Sequence, residues 1–107
     1  MKLWEKYIEE REGAKIIYND FSFVTYRQLN ETEIMIIDVF VEKEHRKSGA
    51  TKKLWDELIE KTKPKVTYGC TDREALNWES SHKFMLALGF IPYTEEGAMI
   101  FYYKEIE

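Results

Sequence analysis

Hydrophobic positions along this chain follow two periods, and the points where the period changes mark the elements. Trp4, Tyr7, Ile8 and Arg11 share one helical face within residues 2–12, and Gly13 follows where a left-handed C-cap belongs, so a first helix is predicted there. Residues 14–18 and 21–29 are rich in β-branched and aromatic side chains and flank the turn pair Asn19-Asp20, which predicts a hairpin. After a second turn at Asn30-Glu31-Thr32, residues 33–41 form an apolar run interrupted only by Asp38, the pattern of a strand covered on both faces. Thr51, Leu54, Trp55, Leu58, Ile59 and Thr62 then recur at helical spacing, with Lys52, Lys53, Asp56, Glu57 and Glu60 on the other side. This amphipathic helix, 50–62, ends before Pro64. A strand over 65–70 follows, and two strands joined by a helix imply a right-handed parallel crossover. Thr71-Asp72-Arg73-Glu74 has capping-box spacing, and Ser81, Phe84, Met85 and Leu88 carry a helical face up to Gly89. Residues 90–94 and 98–104 flank Glu95-Glu96-Gly97 as a terminal hairpin. The expected order is α-β-β-β-α-β-α-β-β: an α+β fold with a mixed, mostly antiparallel sheet of about six strands and helices on both faces.

Composition narrows this picture. With 107 residues, 44% of them hydrophobic and 15% aromatic, the chain can bury one core, so residues 1–107 are expected to form a single domain. The formal net charge of −4 argues against a nucleic-acid binder held by phosphate contacts. Cys70 is the only cysteine, which excludes an intramolecular disulfide and suits a reducing compartment. No apolar run of about 18 residues or signal-peptide pattern is present, so a cytoplasmic protein without a membrane span is expected. His45 and His82 lack further ligands at metal spacing, so no metal is expected. Trp4, Trp55 and Trp78 are expected in the core.

One local exception to the acidic balance carries chemistry. Between the strand ending at Val41 and the helix starting at Ala50 lies a short basic turn with Arg46, Lys47, Ser48 and Gly49, and Lys52 and Lys53 follow in the first helical turn. A helix N-terminus presents unpaired N–H groups and the positive end of the macrodipole, and these cations add formal charge beside it. An anion fits there, and Gly49 permits unusual dihedrals or a close backbone approach. From these residues alone a solvated helix start is an equal reading.

Val41, Arg46, Gly49 and Leu54, in that spacing, resemble the acetyl-coenzyme-A motif Arg/Gln-x-x-Gly-x-Gly/Ala of the GCN5-related N-acetyltransferase (GNAT) superfamily. Thr51 stands where that motif has its last Gly or Ala. The segment Phe84-Met85-Leu86-Ala87-Leu88-Gly89-Phe90 is similar to the family's Phe-Tyr-x-x-x-Gly-Phe, with Met85 in place of the tyrosine. The resemblance covers roughly residues 14–104 and suggests a GNAT domain shortened at its N-terminus. It implies that Val39, Phe40 and Val41 run beside the pantetheine arm of acetyl-CoA. It also implies that Arg46, Lys47, Ser48, Gly49, Ala50 and Thr51 hold the pyrophosphate, and that Asn77, near the family's helix-start asparagine, contacts the coenzyme. A helix N-cap is the plainer role for Asn77.

Acetyl transfer from a thioester needs a neutral nucleophile, and a lysine-like amine is only about one part in a thousand neutral at pH ~7.4. A carboxylate beside it can take the proton. Asp38, the one charge inside its strand, is the candidate; the alternative is a buried carboxylate paired with a core Tyr or Arg. The segment Asp38-Val39-Phe40-Val41 is also similar to the Glu-Asp-x-x-Val strand of GNAT enzymes acting on polyamines, with Ile37 replacing the Glu. The leaving thiolate is commonly protonated by the tyrosine that Met85 replaces, so Tyr68 is the candidate acid, with Tyr93 and Tyr102 behind it. Cys70 is expected to be a buried thiol, because transfer in the family is direct. The expected partners are acetyl-CoA and an amine acceptor, either a small molecule or a protein lysine or N-terminus, with self-association into a homodimer left open. The rival reading is a catalytically weak or inactive GNAT-fold protein that works through protein contacts.

Overall fold

The computed structural model describes residues 2–46 and 49–106. Lys47 and Ser48, two of the expected pyrophosphate residues, lie outside them. Among the described residues the chain forms α1 (Leu3–Glu12), β1 (Lys15–Tyr18), β2 (Ser22–Asn30), β3 (Glu33–Val41), a short 3₁₀ turn (Lys43–His45), α2 (Ala50–Thr62), β4 (Val66–Asp72), α3 (Trp78–Ala87), β5 (Ile91–Glu96) and β6 (Met99–Glu105). This is the element order expected from the sequence.

Local chemistry accounts for the punctuation. Gly13 closes α1 in the left-handed region at φ 62°. The β1–β2 turn is set by Asn19, whose Oδ1 accepts hydrogen bonds from the backbone N–H groups of Phe21 and Ser22 at 2.9 and 2.8 Å. Lys63, at φ 46°, ends α2 by donating its N–H to the Ile59 carbonyl, and Pro64 prevents continuation.

The strands form one sheet in the order β1-β2-β3-β4-β6-β5. Pairing is antiparallel except between β3 and β4, which run parallel across the α2 crossover. One face carries the core. Leu54, Trp55 and Leu58 of α2 and Met85 of α3 pack with Val24, Tyr26, Ile34, Ile36, Ile100 and Tyr102 of the strands. The polar stripe of α2, from Lys52 to Glu60, is exposed as its period requires.

The other face is thinly covered. There α1 meets β1 through Trp4, whose ring lies 5.1 Å from that of Tyr18, and the Tyr18 hydroxyl donates to Glu5 at 3.0 Å. Trp55 is buried and Trp78 packs against the core, but Trp4 is 41% exposed, which corrects its expected core placement. A second correction concerns the capping-box spacing at residues 71–74, which starts no helix. Asp72 is still paired with Met99 in the sheet, and its side chain and carbonyl accept from the N–H groups of Glu74 and Ala75, closing a turn instead. The helix begins six residues after Asp72, at Trp78.

Candidate active site

A fork in the sheet defines the site. The parallel ladder between β3 and β4 has three register pairs, Glu33↔Val66, Ile34↔Thr67 and Met35↔Tyr68, yet β3 continues to Val41 and β4 to Asp72. The cause lies in β3. Tyr26 faces Ile36 while Thr25 faces Asp38, so Ile37 is an extra residue in the β3 ladder with β2. Such a bulge bends its strand and sharpens the local twist, and here it falls directly after the last β3–β4 pair. Beyond it, β3 stays bonded to β2 on one side and turns its other edge to the opening.

The same bulge decides where Asp38 points. Strict alternation from Ile34 and Ile36 would bury Asp38; the extra residue moves it to the opposite, exposed face. Val39 then joins the core side, and Phe40 shares the outer face with Asp38, half exposed and stacked 5.6 Å from Phe23. The backbone N–H of Asp38 donates to the Thr25 hydroxyl at 3.0 Å. The alternative of a buried, core-paired Asp38 is therefore not what the fold shows. Across the fork, burial raises the pKa of the Cys70 thiol, and the charges of Asp38 and Asp72 raise it further. Cys70 thus stays protonated at neutral pH, as a bystander thiol would.

At its open end the fork leads into the basic turn. The Arg46 Nε donates to the Val41 carbonyl at 3.2 Å, folding the guanidinium back over the strand end. Gly49 stands at the N-cap of α2 with φ 87°, a conformation that penalises any side chain, and its carbonyl accepts from the Lys53 N–H at 3.1 Å. The space where a Cβ would lie at Gly49 is open, so its backbone angle rather than a close contact explains the glycine. Thr51 is partly buried in the first turn, and α2 has no side-chain cap. Val39, Phe40, Val41, Arg46, Gly49, Ala50 and Thr51 are therefore consecutive along one path from fork to helix start. Asn77 lies apart in sequence, at the N-cap of α3 as its plainer role expects, with φ 63° and no side-chain capping hydrogen bond.

The groups able to supply a proton sit around the base of the fork. Tyr68 belongs to the last ladder pair, and its hydroxyl donates to Glu33 at 2.8 Å, which raises the tyrosine pKa. Tyr93 is exposed and packs edge-on against Tyr103. Tyr102 is fully buried, its hydroxyl 2.8 Å from the Thr71 hydroxyl and 2.6 Å from His82 Nδ1. The His82–Tyr102–Thr71 cluster escaped sequence reasoning as a unit, since its members come from three elements with no common spacing. Met85 lies beneath β4 against Gly69, the first residue past the fork. A Cβ on Gly69 would collide with the Met85 methyl.

The comparisons agree with this architecture. A profile of the acetyltransferase (GNAT) family matches residues 4–90. The chain belongs to that family. No curated protein sequence matches it significantly. Among solved structures, Ard1 from Thermoplasma volcanium superposes with a TM-score of 0.65 at 13% identity, covering 81% of this chain and 64% of that one. This chain therefore spans less than two thirds of the Ard1 length. The PaiA N-acetyltransferase from Thermoplasma acidophilum, solved in complex with coenzyme A, gives a TM-score of 0.73 at 13% identity over 98% of this chain and 70% of that one. A GNAT-family acetyltransferase from Staphylococcus aureus gives 0.70 at 20% identity over 95% and 75%. At these identities the likeness establishes the fold.

Proposed function

We propose that this chain binds acetyl-CoA along the β3 edge and the α2 N-terminus and transfers the acetyl group to a primary amine by direct attack. The observation that carries the reading is the fork, an open strand edge followed in sequence by a left-handed glycine and a helix start with cationic residues. The open β3 edge at Val39–Val41 offers backbone groups to an extended amide-bearing arm. Arg46, Lys47, Ser48, Gly49, Ala50 and Thr51 offer N–H groups and charge to a pyrophosphate. The complex of PaiA with coenzyme A, on the same fold, supports coenzyme binding by this chain.

Asp38 is the proposed base. It takes a proton from the incoming ammonium; the amine nitrogen bonds to the acetyl carbon, the carbon–sulfur bond breaks, the nitrogen releases its second proton to water, and the thiolate takes a proton. Tyr68 is the proposed donor, and it must leave Glu33 to act. A thiol with a reference pKa of ~8.5 asks little of that acid. The second reading, a non-catalytic module, is favoured by Met85, which has no proton to give beside the fork.

Titration calorimetry and thioester consumption test both readings. Gly49→Glu should abolish acetyl-CoA binding, and equal affinity in the two proteins would remove the coenzyme from this turn. Asp38→Asn should leave coenzyme affinity near the native value and lower turnover about 10²-fold or more. A native protein that binds acetyl-CoA but transfers to no amine or protein acceptor would establish the module.

A further inference from the structure

On the outer face of the sheet, beside Phe40, lies an open groove of about 300 Å³ bounded by α1, the β1–β2 turn and the end of β3. Its walls are aromatic. Trp4 and Tyr18 pack 5.1 Å apart, and Phe23 and Phe40 stack at 5.6 Å with ring planes 23° apart. Phe21 lies against His45 at 3.7 Å. Four of these rings remain between 38% and 50% exposed, so in the free protein they leave apolar surface in water. The frame is rigid: Glu42 donates its N–H to the Phe21 carbonyl at 2.8 Å, and Asn19 holds the turn from both sides.

Charge gives the groove a sign. Asp20 and Glu42 line it, both exposed, and Asp38 stands on the same face as Phe40, two residues or about 7 Å along the strand. The ring of Tyr18 already carries one cation, the Lys2 ammonium 5.5 Å from its centroid. A pocket of this size takes a ring with a short chain, not a folded segment.

Resting on the acetyltransferase reading above, we infer that the groove holds the apolar body of a small amphipathic primary amine, with its ammonium carried along β3 toward Asp38. Aromatic walls bury the body, the acidic rim attracts the cation, and the strand spacing sets the distance between them. A hydrophilic amine of the same head group gains only the electrostatic part.

The test compares 2-phenylethylamine with ethylamine, which share the ammonium and differ in the body. Calorimetry on the native protein, with and without coenzyme A, should show 2-phenylethylamine binding about tenfold tighter or more, as burial of a ring predicts. Trp4→Ala should weaken 2-phenylethylamine severalfold and leave ethylamine nearly unchanged, whereas Glu42→Gln, which removes charge from the rim, should weaken both amines. Trp4 is exposed, so its removal should spare the fold, and a melting curve checks this. Equal binding of the two amines, or no binding of either, overturns the inference. Sedimentation showing a dimer that excludes 2-phenylethylamine also overturns it, because the groove would then be a contact between copies. The ring preference without any acetyl transfer would keep the groove and sink the acetyltransferase reading. Transfer without the preference would do the reverse.

Discussion

At the scale of single residues, Asp38 shows where periodicity stops being informative. The apolar run of residues 33–41 reads as a buried strand, and a charge inside it reads as either functional or paired within the core. A one-residue bulge at Ile37 resolves the choice by turning Asp38 outward, and no composition signal marks a bulge built from isoleucine. Trp4 was equally illegible. A tryptophan on a helical stripe reads as core, yet α1 lies at the sheet margin and leaves the ring half wet. The consequence for Cys70 is measurable. Its raised pKa means less thiolate at any given pH, so alkylation by iodoacetamide at pH ~8 should be slower than in the unfolded chain, with the rate still rising above the ordinary thiol range. Burial is the larger cause. Asp38→Asn, which removes one of the two lesser charges, should accelerate the reaction by only about twofold. An unchanged rate would mean the two side chains do not share the fork.

Among elements, the amphipathic helix was the most legible and the start of α3 the least. The 51–62 stripe matched its buried face residue for residue, because a long helix repeats its signal several times. The capping-box spacing at Thr71 occurs once, and the sheet pairing of Asp72 with Met99 outweighed it. Gly49 was legible as a special backbone position, and its φ of 87° is the form that took. Gly69 was not legible at all, since a glycine inside a strand does not say what approaches it. Here it is Met85. Gly69→Ala should destabilise by about 1 kcal/mol as the Met85 methyl is displaced, a mild case of overpacking. Met85→Ala should cost about 2–5 kcal/mol through the cavity it opens. The double variant places a methyl in that cavity and should be more stable than the sum by at least about 0.5 kcal/mol. Strict additivity in urea unfolding would show that helix and strand do not meet at this pair.

For the whole molecule, the element order was legible but the strand order was not, because nothing local tells β6 to insert between β4 and β5. That arrangement builds the sheet as two antiparallel halves, β1–β3 and β4–β6, joined by only three parallel register pairs and by the helices that span their shared face. A ligand lodged in the fork would tie the halves together where the backbone does not. The proposed acetyl-CoA site therefore predicts a large effect on stability. At about 100 times its dissociation constant, a ligand that binds only the folded state adds about 2.7 kcal/mol. In a domain of this size that corresponds to a rise in melting temperature of about 10 °C or more. The gain should have an address as well as a size. Amide exchange should slow most between Ile36 and Val41 and between Gly69 and Asp72, the strand segments that diverge, and Gly49→Glu should cancel both effects. Saturating acetyl-CoA that raises the melting temperature while leaving those amides unprotected would place the coenzyme elsewhere on the molecule. With no thermal shift at all, the fork would stand as a structural feature of the family retained without its ligand.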